Sequence, residues 1–288
     1  MIEFYTRNNG FNPVNNAKYL KTDTSVMKFP GGEVHIKGEF KVRDEVAVVR
    51  GSNGDMSDDL IALLEWADIR KTLRLPKIAV IPYLPAARQD RGLPFSAKVY
   101  ANLINSANLD KVICIDPHSD VMPALLNNVE IINSHSLTDI VAVLQPYSAV
   151  IAPDSGASKR AYEVAKRMNV PMFQAWKHRD PATGALTGFG CETVRANRAN
   201  GPALVVDDIC DGGGTFMGLA ESLKYDKEDI HLYITHGIFS GKHRDLENHF
   251  GRIITTNSHV GSGARSGDPN WRIIDIIPTL LYYALASR

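Results

Sequence analysis

Ala203-Leu-Val-Val-Asp207-Asp208-Ile-Cys-Asp211-Gly212-Gly213-Gly214-Thr215 joins an apolar run to two adjacent carboxylates, a third carboxylate, three glycines and a threonine. A run that is apolar at every position is buried on both faces, as in a parallel sheet covered by helices. The spacing predicts a strand over Ala203–Asp207 and a helix over Gly214–Lys224. Glycines between them let backbone N–H groups converge on a phosphate without side chains in the way. The positive end of the following helix adds to that attraction. Three carboxylates within five residues repel one another unless cations or hydroxyls sit among them, and sugar hydroxyls and Mg²⁺ are natural occupants. The plainer reading is a tight turn with an Asp cap. It covers one Asp and one Gly, but not the whole string.

The same alternation runs along the chain. Strands are expected at Val46–Arg50, Lys77–Pro82, Lys111–Asp116, Ala149–Pro153, Pro171–Trp176 and His231–Thr235, and helices at Ser57–Thr72, Ser96–Ala107 and Gly156–Met168. Ser57 reads as the cap of the first helix, with Asp58 and Asp59 where the helix dipole favours negative charge. The fold class is α/β. At 288 residues two domains are expected, divided where Gln145-Pro146-Tyr147 interrupts the pattern: 1–145 and 146–288.

Bulk properties exclude several classes. Lys plus Arg and Asp plus Glu number 32 each, so no charge excess draws the protein to nucleic acid or to an anionic membrane. Three scattered cysteines and no C-x-x-C pair argue against a disulfide framework or a structural zinc. Met1-Ile-Glu-Phe-Tyr5 lacks the basic-then-apolar pattern of a secretory signal. A cytoplasmic protein without a membrane or nucleic-acid partner is expected. No G-x-x-x-x-G-K-[ST] occurs, which excludes a P-loop.

Other segments supply charge at the ends of predicted strands, where open α/β sheets bind ligands. Arg88 and Arg91 follow one strand, His118 follows another and Asp154 a third. Each also has a plain reading, as surface arginines, a structural histidine and a helix cap. Lys177 and Arg179 are two apart, so on an extended segment they share a side, and Asp180-Pro-Ala-Thr-Gly184 carries a turn signal. A closing arm over phosphates and a solvated loop both fit those residues. Phe29, beside Pro-Gly-Gly, fits a core aromatic packing a turn.

Taken together and in order, these segments resemble the ribose-phosphate diphosphokinase family. The Asp207–Thr215 string looks like the phosphoribosyl-binding motif that this family shares with type I phosphoribosyltransferases. The resemblance implies that Asp207, Asp208, Asp211, Gly212, Gly213, Gly214 and Thr215 hold the sugar phosphate. Phe29-Pro-Gly-Gly-Glu33 is similar to the segment whose Phe29 and Glu33 positions help build the ATP site, often from a neighbouring subunit. Arg88, Gln89, Asp90 and Arg91, followed by Ser96-Ala-Lys98, resemble the adenine- and triphosphate-contacting region. His118 in Asp116-Pro-His118, and Asp154 in the segment running to Lys159-Arg160, match metal-site positions. Lys177 and Arg179 match the catalytic loop; Thr235-His-Gly237 and Thr256-Asn257 recur near family positions. The resemblance implies two stacked phosphoribosyltransferase-type domains and Mg²⁺ as cofactor. It implies transfer of the diphosphoryl group of ATP to ribose 5-phosphate, and a homo-oligomer, either a dimer or a hexamer of dimers. A phosphoribosyltransferase consuming the diphosphorylated sugar is the competing activity, and it leaves the N-terminal matches without a role.

Three departures from the family pattern stand out. Only Gly92-Leu-Pro-Phe95 separates the Arg-Gln-Asp-Arg string from Ser96-Ala-Lys98, a shorter stretch than most relatives carry, so weakened regulation by phosphate and ADP is expected. Gly31 stands where relatives commonly have Asp or Asn. The run Gly212-Gly213-Gly214 removes side-chain volume around the 5′-phosphate, which makes a bulkier sugar such as ADP-ribose an alternative substrate.

Overall fold

The structure, a computed structural model, describes residues 1–7, 19–40, 45–51, 56–132, 141, 145–179, 186–191, 201–261 and 267–286, with backbone alone for 177–179, 186–187, 189 and 286. It divides into two units: Met1–Ile132 with Ser258–Val260 and Asp275–Arg288, and Asn133–Asn257 with Gly261–Ile274.

The first unit runs β1 (Ile2–Arg7), β2 (Tyr19–Lys21), the hairpin β3 (Ser25–Lys28) and β4 (Val34–Lys37), β5 (Glu45–Val49), α1 (Met56–Thr72), β6 (Ile78–Val80), α2 (Ser96–Ser106), β7 (Lys111–Ile115), α3 (Val121–Leu125) and β8 (Val129–Ile132). Its sheet has the order β2-β1-β5-β6-β7-β8, parallel from β5 to β8 and antiparallel at β1 and β2. β5 and β6 are buried at every position, as expected for strands covered on both faces. Leu60, Leu63, Trp66, Ala67 and Arg70 recur at helical spacing along α1 and form its buried face. The Trp66 indole N–H donates to the Glu45 carboxylate at 2.7 Å, so the largest core side chain keeps its polar handle satisfied. Met56 opens α1, which places Ser57 inside the first turn and not at the cap position. The C-terminal helix Ile277–Ala286 packs on β6 and β7 through the buried Leu280, Leu281, Ala284 and Leu285.

β1 carries a charge inside an otherwise apolar run. Glu3 is buried, and Lys21 Nζ and Arg50 Nη2 each stand 2.7 Å from its carboxylate. Burial pushes the Glu3 carboxyl up, but these two cations outweigh it and hold the group below its ordinary value.

The second unit runs β9 (Ala149–Ala152), α4 (Ser158–Met168), β10 (Met172–Arg179), β11 (Leu186–Cys191), β12 (Ala203–Cys210), α5 (Gly214–Leu223), β13 (Ile230–Gly237), β14 (Arg252–Thr256) and β15 (Trp271–Ile274). The order is β11-β10-β9-β12-β13-β14-β15, parallel except for the β10–β11 pair. Both units are therefore mostly parallel sheets flanked by helices. Three strands outrun their expected ends. β12 continues to Cys210 and β13 to Gly237, which pair with each other, and β10 continues to Arg179 beside β11.

Candidate active site

In the second unit the chemistry collects at the C-terminal ends of β9 and β12, the edge at which open α/β sheets bind ligands. β9 pairs with β12 only as far as Ile151↔Val205, whereas β12 continues beside β13 to Cys210↔Gly237. Asp207 and Asp208 thus lie where one flank of β12 has lost its neighbour. Arg160, in the first turn of α4, reaches that flank. Its Nη1 stands 3.6 Å from Asp207 Oδ1 and 3.6 Å from Asp208 Oδ1. The Asp208 N–H donates to Asp207 Oδ1 at 2.9 Å. Burial, reinforced by the Asp208 charge, holds the Asp207 carboxyl well above the usual carboxylate range, and Arg160 pulls the other way.

Beyond the pair the chain turns into α5. Gly213 has φ +82°, a left-handed conformation that favours glycine, and a Cβ there would press to 3.1 Å from the Leu246 side chain. A Cβ at Gly212 or Gly214 would meet nothing within 4 Å. The space above this turn is open. The Ser240 hydroxyl donates to Asp211 Oδ1, and the Ser240 N–H donates to the Asp211 carbonyl at 3.1 Å. These bonds tie the third carboxylate to the loop that follows β13.

That loop rests on Phe239, whose φ of +52° is unusual for a residue with a side chain. Its N–H donates to the Cys210 carbonyl at 3.1 Å, and its ring meets Trp271 edge-on at 4.8 Å. A Cβ on Gly237 would overlap the Phe239 ring. Gly237→Ala should therefore cost about 1–3 kcal/mol of stability through overpacking, read as a lower midpoint in urea unfolding.

Asp154 follows β9. Its Oδ1 accepts the Ala157 N–H at 3.2 Å, the capping bond of the plain reading. Lys177 and Arg179 lie on β10, facing Phe189 and Leu186 across the β10–β11 ladder, with an irregularity between His178 and Arg179. The turn residues 180–185 lie outside the described residues.

In the first unit the structure joins two predicted segments. Asp90 Oδ2 accepts the Ser119 hydroxyl at 2.6 Å, linking the Arg88–Arg91 loop to the loop of His118. The Ser119 bond, ahead of the charges of Arg91 and His118, holds the Asp90 carboxyl below its ordinary value. Asp90 is buried and braces the two loops, while Arg88, Gln89, Arg91 and His118 are exposed. The Ala97 N–H donates to the Gln89 carbonyl at 3.2 Å, which seats α2 directly on this loop.

Phe29 and Glu33 close the β3–β4 hairpin through the Phe29 N–H to Glu33 carbonyl bond at 2.8 Å. Phe29 is 46% exposed, so it is not the core aromatic that the turn context allowed. A Cβ at Gly31 would crowd the Glu33 carboxylate.

Mg²⁺ prefers oxygen donors and is commonly held by one or two carboxylates together with substrate phosphates. Among the described residues no three His, Cys, Asp or Glu side chains converge as a cation cage. Asp154 and the Asp207–Asp208 pair offer oxygen donors on adjacent strand ends, which fits a metal shared with a phosphate ligand. The sequence by itself gives Arg160 no role and does not point to Ser119 or Ser240. A basic residue in the first turn of the helix after Asp154 was the available signal for Arg160.

Residues 14–107 match the family model of the N-terminal domain of ribose phosphate pyrophosphokinase. The chain is 33% identical over 272 residues to the ribose-phosphate pyrophosphokinase of Cereibacter sphaeroides, covering 89% of this chain and 80% of that one. It is 31% identical over 269 residues to the enzyme of that name from Chromobacterium violaceum, covering 87% and 80%. The crystal structure of phosphoribosylpyrophosphate synthetase from Mycobacterium smegmatis shares the fold, with a TM-score of 0.72 at 24% identity over 92% of this chain and 90% of that one. The two units therefore share the fold of that structure, and the chain belongs to the ribose-phosphate pyrophosphokinase family of diphosphotransferases.

Proposed function

We propose that the protein transfers the β,γ-diphosphoryl group of ATP to the anomeric hydroxyl of ribose 5-phosphate, giving phosphoribosyl diphosphate and AMP. The observation that carries this reading is the β12 end, where paired carboxylates stand beside a glycine turn on a helix N-terminus. Asp207 and Asp208 accept the sugar hydroxyls, and backbone N–H groups of Asp211–Thr215 face the 5′-phosphate. Arg88, Gln89 and Arg91 bind the nucleotide, with Asp90 bracing their loop. Phe29 and Glu33, exposed on a hairpin tip, suit donation to the nucleotide site of a second copy in a homo-oligomer. The anomeric oxygen attacks the β-phosphorus, the bond from that phosphorus to the α,β-bridging oxygen breaks, and AMP leaves with that oxygen. Lys177 and Arg179 neutralise the charge that develops during transfer. Mg²⁺ would supply positive charge against the phosphates; Asp154 would hold it in the second unit, and His118 is the candidate ligand that the first unit offers.

AMP should appear from ATP and ribose 5-phosphate with Mg²⁺ and no base present. Product formation only when a base and phosphoribosyl diphosphate are supplied would favour a phosphoribosyltransferase instead.

The open space at Gly212 and Gly214 supports a second reading, the same chemistry on a sugar with a larger 5′-substituent such as ADP-ribose. Only Gly213 is demanded by the backbone, so the flanking glycines serve room and not folding. Mass spectrometry of products from each sugar separates the two readings. If the bulky sugar is used, Gly212→Val should suppress its turnover about tenfold or more beyond any loss seen with ribose 5-phosphate.

A further inference from the structure

We propose that Arg160 is a positioning residue that holds Asp207 and Asp208 together as a paired acceptor for two vicinal hydroxyls of the ribose. The inference rests on the functional reading above and adds a residue to it. Neighbouring side chains on a strand normally point to opposite faces. Here one guanidinium nitrogen stands 3.6 Å from both carboxylates, an arrangement available only because β9 has ended and left that flank of β12 open. The Arg160 side chain is 12% exposed, so its charge is little screened, and the two carboxylates against it are comparably buried.

At 3.6 Å the contacts are longer than tight charge-assisted bonds of about 2.8 Å, so Arg160 orients the pair without gripping either carboxylate. One guanidinium against two carboxyl groups makes a compact polar site that suits a neutral diol. Without Arg160 the two carboxylates would lose the one cation that stands against both and would be free to turn apart.

The test is steady-state kinetics on the full-length protein with the ribose phosphate that the wild type uses. Arg160→Gln is expected to raise KM for the sugar by about 10- to 100-fold, the loss expected for charge-assisted contacts, while KM for ATP stays within about twofold. Arg160→Lys should recover part of the loss, since an ammonium keeps the charge without the planar fork. Asp207→Asn combined with Arg160→Gln should lose less than the two single changes predict together. A sugar KM unchanged in Arg160→Gln, or an equal rise in both KM values, overturns the proposal while leaving the functional reading intact. Should Arg160→Gln fail to fold, Arg160→Lys carries the test alone: a several-fold rise in sugar KM supports the role, and wild-type kinetics overturn it. A wild type inert toward every ribose phosphate removes the functional reading and this proposal with it.

Discussion

Replacing Lys177 and Arg179 together by alanine should lower the rate of AMP formation by about 10³-fold or more, with little change in nucleotide affinity. Both residues lie on β10, which runs to Arg179 because it stays paired with β11. A preorganised cation aimed at charge developing in the transition state is worth roughly 10²–10³ in rate on its own. Two that act on the same phosphoryl group do not add independently, so the double variant should fall short of the product of the singles. Single-turnover measurements at saturating ATP would isolate the chemical step. A double variant within about tenfold of wild type would return the segment to its other reading, a solvated charged loop.

Acidification should destabilise the second unit through His231, at the opposite end of its sheet from the Asp pair. The ring is buried at the start of β13, with Tyr147 Oη 3.4 Å and Gln145 Nε2 3.3 Å from Nδ1. Burial, and then the positive charge of Arg252, pushes its pKa down to about 4. The unfolded chain binds the proton near pH 6.5 and the folded chain does not, so stability is complete above 6.5 and is lost as pH falls toward 4. The loss by pH 4 is on the order of 2–3 kcal/mol. Asp207, held above its ordinary value, works in the opposite sense, and Glu3, held below its own, adds its loss only at lower pH. Comparing urea unfolding at pH 7.5 and 5 in wild type and His231→Asn therefore isolates the histidine. The variant should show the smaller difference between the two pH values, and equal differences would remove His231 from the account.

Elements with continuous apolar runs were legible in the sequence. Ala149–Ala152, Lys111–Ile115 and Ala203–Cys210 stand within a few residues of their expected bounds, because burial on both faces demands apolar side chains at nearly every position. β1 was not legible. Its run is broken by Glu3, which is tolerable only because Lys21 and Arg50, distant in sequence, meet it. β3 and β4 are exposed at most positions and carry no core pattern. The C-terminal helix was missed for a different reason: its apolar residues face β6 and β7, strands some two hundred positions earlier.

The site divides along the same line. The sequence alone determined that carboxylates, glycines and a helix start follow one buried strand, since that chemistry is contiguous in the chain and needs no partner to be read. Only the tertiary structure decided what surrounds it: that β9 stops short of Asp207, that Arg160 fills the gap, that Ser119 engages Asp90, and that Phe29 is exposed on a hairpin. Each of these depends on where one strand ends relative to its neighbour or on which distant side chain arrives there. Local propensity and spacing carry no information about either, because both are set by packing between segments far apart in the chain.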